Sequence, residues 1–224
     1  MFTQSAEGIG KYLKLPAFVV GIFIVGIGTS LPELISGMLS VSKGVSDILP
    51  GNIIGANISN ILLITGLAVA FNRRPIELKT EYLFIDLHFL LGSFLYFYII
   101  AYDGKIIFSE AFIGIVMFLI YSFYLIKGQA ADSENTDTEK DAFPVKATAL
   151  LLLAGVGIYF GADYTVSSLE KIAQALSIPN SVIALTLLSL GTTLPELAVN
   201  ISALRQGKAE MAIGNVLGSC IFNT

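Results

Sequence analysis

Gly28-Thr29-Ser30-Leu31-Pro32-Glu33 lies inside a long apolar run, and Gly191-Thr192-Thr193-Leu194-Pro195-Glu196 repeats it almost letter for letter in another. Each stretch sets a helix breaker, hydroxyls and a carboxylate side by side. Carboxylates are costly in hydrocarbon and persist there mainly for function. Working outward, apolar residues run at about Ala17–Val41, Asn52–Phe71, Tyr82–Ala101, Ile106–Ile126, Ala147–Thr165, Ser181–Leu204 and Met211–Thr224. All but the last have about the 20 residues needed to cross a bilayer.

The chain is 54% hydrophobic and 13% charged, with a mean hydropathy of +0.77. That is about half the roughly 25% charge of a soluble domain. The fold class is therefore an all-α polytopic membrane protein; a β-barrel would alternate over segments of about 10 residues. Met1–Lys14 is polar and lacks the apolar core of a cleavable signal peptide. A lone Cys220 excludes an internal disulfide and fits no metal-ligand spacing. No basic patch with interleaved aromatics points to nucleic acid. Transport is expected rather than enzymatic catalysis, with no cofactor.

The long polar segment 128–143 carries Asp132, Glu134, Asp137, Glu139 and Asp141 and reads as an acidic linker between two halves, 1–127 and 144–224. With the N-terminus cytoplasmic and each block crossing once, Lys11, Lys14, Arg73, Arg74, Lys79, Lys127, Lys140, Lys146, Arg205 and Lys208 fall inside, against Lys43, Lys105 and Lys171 outside. That asymmetry follows the positive-inside rule and makes the linker cytoplasmic. A multi-pass protein of the plasma (inner) membrane is expected.

The halves repeat at a constant offset: 196 − 33, 214 − 51 and 223 − 60 all equal 163. Residues 18–60 and 181–223 share 13 identities in 43 positions without a gap. The repeats are 17–71 and 181–224. An odd number of crossings separates them, so they run in opposite directions, an inverted-topology repeat typical of transporters. The same symmetry leads us to expect one further helix before residue 1 and roughly 70 residues after Thr224, making about ten helices, of which about seven are present.

Pro32 and Pro195 remove backbone donors, and such breaks are tolerated at membrane depth where the freed carbonyls face protein, water or an ion. Thr29, Ser30, Thr192 and Thr193 add hydroxyls, and Glu33 and Glu196 add one negative charge each. These hard oxygens suit calcium or sodium. Two facing carboxylates balance one divalent cation; protons or monovalent cations competing for them would supply the basis of antiport. Asn60 and Asn223 are amides that an ion with its waters would satisfy, whereas Gly51, Gly55, Gly214 and Gly218 are assigned to close helix packing. Asp86, His88 and Asp163 read as interfacial, the aromatics around 94–98 and 121–124 as lipid-facing or belt residues, and Cys220 as a small packing residue.

At these motifs the sequence strongly resembles the cation/calcium exchanger superfamily, and most closely prokaryotic sodium/calcium exchangers. The resemblance rests on the paired GTSLPE and GTTLPE stretches and on the Gly51-Asn52 and Gly214-Asn215 helices that follow them. It implies two inverted halves of five helices each. It also implies a calcium site from Glu33 and Glu196 with Thr29 and Thr192, partly through their carbonyls, and sodium ligands at Ser30, Thr193, Ser219 and Asn60. Ala56 replaces a serine usual in the first repeat, and Asn223 stands where many relatives carry Asp. The expected function is a secondary antiporter exchanging calcium for sodium by alternating access. About three sodium ions per calcium would move roughly one net charge, worth about 2.3 kcal/mol at 100 mV. The rivals are a proton/calcium antiporter, a passive cation channel and a non-transporting fragment.

Overall fold

The computed structural model describes residues 1–42, 44, 48–72, 75, 82–130, 143–175, 182, 186 and 188–224. Most of the acidic linker, with Asp132, Glu134, Asp137, Glu139 and Asp141, lies outside the described residues, as do Lys43, Arg73, Arg74, Lys79 and Lys140 of the charge count and most of 181–187. Every described element is helical. Four stretches, Ala17–Met38, Leu49–Phe71, Phe84–Ala101 and Phe108–Lys127, are long and apolar enough to cross a membrane.

The elements are α1 (Phe2–Tyr12), α2 (Ala17–Val20), a π-helical segment Gly21–Gly26, α3 (Ile27–Thr29), α4 (Leu31–Ser42), α5 (Ile48–Ile58), a second π segment Ser59–Ile64 and α6 (Thr65–Asn72). A third π segment, Tyr82–Asp86, opens α7 (Leu87–Ala101), followed by α8 (Phe108–Ala130) and α9 (Val145–Ala175). Last come α10 (Ser189–Thr192), α11 (Leu194–Arg205) and α12 (Ala209–Asn223).

The repeat is visible in the element boundaries. Adding 163 to the ends of α4 gives Leu194 and Arg205, the ends of α11. Gly44 and Gly207, equivalent positions just past these helices, both take positive φ, +72° and +73°. An L side chain is strained there, so the same turn is made by the same residue type in both halves.

The polar start Met1–Lys14 is largely helical: α1 buries Phe2, Thr3, Ser5, Ala6 and Gly10 and packs on α9. Helix α9 itself runs to Ala175 instead of stopping at Thr165. Since 175 − 163 is 12, α1 is the counterpart of the last turns of α9. Asp86 is not interfacial. It is buried and accepts a 2.9 Å hydrogen bond from the Tyr121 hydroxyl, which takes Tyr121 out of the outward-facing aromatic set. Phe97 is buried too, against the outward-facing expectation for 94–98, whereas Tyr98, Phe123, His88 and Asp163 are exposed.

The centre of the molecule is the crossing of Ala17–Gly26 with α12, where backbones touch. A Cβ built on Gly218 would fall 2.7 Å from Ile22 Cα, and one on Gly214 would collide with the Phe18 carbonyl. Glycine is required by this approach, in agreement with the packing role expected of these two positions. Phe18, Ile22, Leu90, Tyr121, Leu125, Cys220 and Ile221 form a core cluster around the crossing. Outward, α8 exposes Phe112, Ile115, Leu119, Ile120 and Phe123, the apolar surface a helix presents to acyl chains rather than to water.

Candidate functional site

The two motifs break their helices in the same way. Ser30 separates α3 from α4 with φ −86°, ψ 4°, and Thr193 separates α10 from α11 with φ −86°, ψ 0°. Each proline sits at the second position of the new helix, so it lacks the N–H that would bond four residues back, to Gly28 or Gly191. Glu33 and Glu196 stand one residue later in those first turns, where a helix N-terminus favours negative charge.

Both carboxylates point inward. Glu196 is 0% exposed and Glu33 6%. One donor reaches them across the halves: the Ser30 hydroxyl bonds Glu196 Oε1 at 3.1 Å. Among the described residues, Glu196 Oε2 and both oxygens of Glu33 have no hydrogen-bond donor. The Thr192 hydroxyl, beside Glu33, donates instead to the Ser189 carbonyl at 3.2 Å. Thr193 does likewise, at 2.9 Å.

The remaining expected residues gather at the same place with different degrees of satisfaction. Thr29 is fully buried, its hydroxyl shared between the Gly26 carbonyl (3.3 Å) and Asn215 Oδ1 (3.2 Å). Ser219 is fully buried and shared between the same two acceptors, each at 3.4 Å. Asn60 is fully buried with neither amide atom partnered, and Asn223, half-buried, has an unpartnered Nδ2. Buried polar atoms of this kind cost about 1–3 kcal/mol each when unpaired, so the arrangement favours anything that supplies positive charge to the oxygens. No group of three or more His, Cys, Asp or Glu side chains occurs among the described residues. Hydroxyls, amides and carbonyls must complete any shell around the two glutamates.

Sequence reading overlooked Asn200. It is 1% exposed, and its Oδ1 accepts a 2.9 Å bond from Asn215 Nδ2, which ties Asn200 through Asn215 to Thr29. The signal was available, because Asn200 lies four residues after Glu196 and shares its helix face. The first half has no equivalent: 200 − 163 is Gly37, and Asn52, the counterpart of Asn215, keeps a buried Oδ1 without a partner.

The model of the family described as sodium/calcium exchanger protein matches residues 1–127 and 146–224. The chain belongs to the sodium/calcium exchanger family. The uncharacterised membrane protein MJ0091 of Methanocaldococcus jannaschii is 32% identical over 98% of this exchanger-family chain and 72% of its own length. The sodium/calcium exchanger MaX1 of Methanosarcina acetivorans is 31% identical over 99% and 75%. Among solved structures, the sodium-calcium exchanger NCX_Mj soaked with 10 mM Na+ and zero Ca2+ superposes with a TM-score of 0.82 at 30% identity, covering 99% of this chain and 73% of that one. The exchanger-type fold and the transporter class expected from sequence are thereby established, and the characterised relatives named here are transporters.

Proposed function

We propose that the chain carries calcium across the plasma (inner) membrane in exchange for sodium, by alternating access at a site centred on Glu33 and Glu196. The observation that carries this is the buried pair itself. Two carboxylates from oppositely directed repeats share one interior, with three of their four oxygens lacking a donor. A divalent cation balances both charges at once. Thr29 and Thr192 complete the calcium shell in this reading, and Ser30, Thr193, Ser219 and Asn60 offer neutral oxygens to sodium. Asn223 contributes an amide without charge. The halves 1–127 and 144–224 are joined by the cytoplasmic linker 128–143, and access alternates as the short-loop helices rock or slide past the fixed site.

Calcium movement in proteoliposomes tests the proposal. Uptake should follow an imposed outward sodium gradient. Uptake driven by a pH gradient alone identifies a proton/calcium antiporter; flux independent of any counter-ion identifies a channel. Glu33→Gln and Glu196→Gln should each abolish calcium binding, read by titration calorimetry, and unchanged affinity in both variants would sink the site assignment.

A further inference from the structure

A chain of hydrogen bonds between side chains runs from the helix of Glu196 to the opposite repeat. It starts on α11, where Asn200 lies one turn after Glu196 on the same helix face. Asn215 on α12 donates from Nδ2 to Asn200 Oδ1 at 2.9 Å. Asn215 Oδ1 in turn accepts from the Thr29 hydroxyl of the first half at 3.2 Å and from the Ser219 hydroxyl at 3.4 Å. Asn200 is 1% exposed and the other three residues 0%, so each bond is made out of reach of bulk solvent.

An amide side chain donates at one end and accepts at the other, so holding Asn215 by its Nδ2 fixes which end faces the hydroxyls. With Oδ1 turned to them, Thr29 and Ser219 point their protons at Asn215 or at the Gly26 carbonyl, 3.3 and 3.4 Å away. A hydroxyl so committed can meet a cation only with its oxygen. Turned round, the amide would set N–H donors against the same two hydroxyls, and both protons would have to point elsewhere. The Asn200 oxygen opposes that rotation, because without it Asn215 Nδ2 would lose its buried acceptor. The other repeat lacks the device. Its equivalent chain would be Thr192, Asn52 and Gly37 (192 − 29, 215 − 52 and 200 − 37 are all 163). Gly37 has no side chain, Asn52 Oδ1 is buried without a partner, and the Thr192 hydroxyl donates to the Ser189 carbonyl at 3.2 Å.

We infer that Asn200 is a positioning residue for ion binding: by holding Asn215 it orients the Thr29 and Ser219 hydroxyls so that they present oxygen, and not hydrogen, to a cation. The inference rests on the exchanger reading above and says how two ligands of that site are set. Asn200 Nδ2 is itself buried and without a partner, so the accepting oxygen is the part of the side chain that matters. Asparagine here does the work of a neutral acceptor.

The test is calcium titration calorimetry on the purified full chain and on Asn200→Ala, Asn200→Asp, Thr29→Val and the variant carrying both Asn200→Ala and Thr29→Val. Asn200→Ala should weaken calcium binding about five- to tenfold, the scale of one hydrogen bond. Asn200→Asp keeps the accepting oxygen and drops only the unpartnered Nδ2, so it should bind calcium at least as tightly as the unaltered chain. Once Thr29 has lost its hydroxyl, adding Asn200→Ala should cost no more than about twofold, because the two residues act through one chain. Unchanged affinity in Asn200→Ala overturns the inference. So does an Asn200→Asp variant as weak as Asn200→Ala, or a double variant in which the two losses multiply in full, since either pattern marks a packing role only. If Asn200→Asp does not fold, the double variant decides; if Thr29→Val alone leaves no measurable binding, Asn200→Asp decides. Absence of calcium binding by the unaltered chain takes down the exchanger reading and this inference together. Binding that Glu33→Gln abolishes but Asn200→Ala leaves unchanged takes down this inference alone.

Discussion

Glu7 lies away from the ion site, on α1 ahead of the first span, and it fastens that helix to the turn before α12. Lys208 Nζ lies 2.6 Å from one carboxylate oxygen and Lys11 Nζ 3.0 Å from the other. These two ammonium groups, Lys208 first, hold the Glu7 carboxyl below its ordinary value of 4.5. A carboxylate with a lowered folded-state pKa contributes stability above its unfolded pKa and loses it as pH falls through the folded value. The thermal midpoint should therefore be insensitive to this group from pH 7 to about pH 5 and decline below pH 4.5. Glu7→Gln should flatten the acid limb in a scanning-fluorimetry series, and an unchanged limb would show that the pair does not contribute to folding. Legibility at this scale was uneven. Glu33 and Glu196 stood out because a carboxylate in an apolar run has few reasons to be there. Asp86 and Asn200 did not, because pairing with Tyr121 and Asn215 depends on which helix face lies opposite. One-dimensional spacing does not contain that information.

Among the elements, α12 is the most tightly constrained. At Gly218 the backbone of Ala17–Gly26 leaves no space for a methyl group. Gly218→Ala should lower stability by about 1–3 kcal/mol, the usual cost of forcing extra volume into a packed contact. Gly157, in the middle of α9, has nothing within 4 Å of a built Cβ. Gly157→Ala should stabilise by about 0.5–1 kcal/mol, through the better helix propensity of alanine. Thermal unfolding in detergent of both variants checks the contrast; equal shifts would refute the close crossing. The glycine spacing of α12 was readable from sequence as a packing device. The π segments were not. In Ser59–Ile64 the Thr65 N–H reaches back to the Asn60 carbonyl, and the Thr65 hydroxyl bonds it as well, at 3.0 Å. A wide turn of this kind leaves no trace in hydrophobic periodicity. The α1 helix escaped notice because so short an apolar face, essentially Phe2 and Ala6, counts only against the α9 surface that covers it.

For the whole molecule, the chain carries its own reporter of opening. Cys220 is the single cysteine, fully buried beside Ser219, with its sulfur 4.0 Å from the Asn57 carbonyl. A thiol reacts as thiolate and needs water to reach it, so a membrane-impermeant maleimide should label Cys220 only when α5 and α12 part. Saturating calcium should slow that labelling. Equal rates with and without calcium would mean that ion binding does not govern the parting of α5 and α12. The repeat relation between the two halves has a last consequence. Exchange the conformations of two copies related by a twofold axis and the result is the same object viewed from the opposite face of the bilayer. Two identical repeats would therefore make the two orientations of access degenerate in energy. What tips the balance is confined to positions where the copies differ, such as Asn200 against Gly37 and Cys220 against Asn57. Under the alternating-access proposal, a resting preference for one face over the other is written in the departures of the chain from its own symmetry.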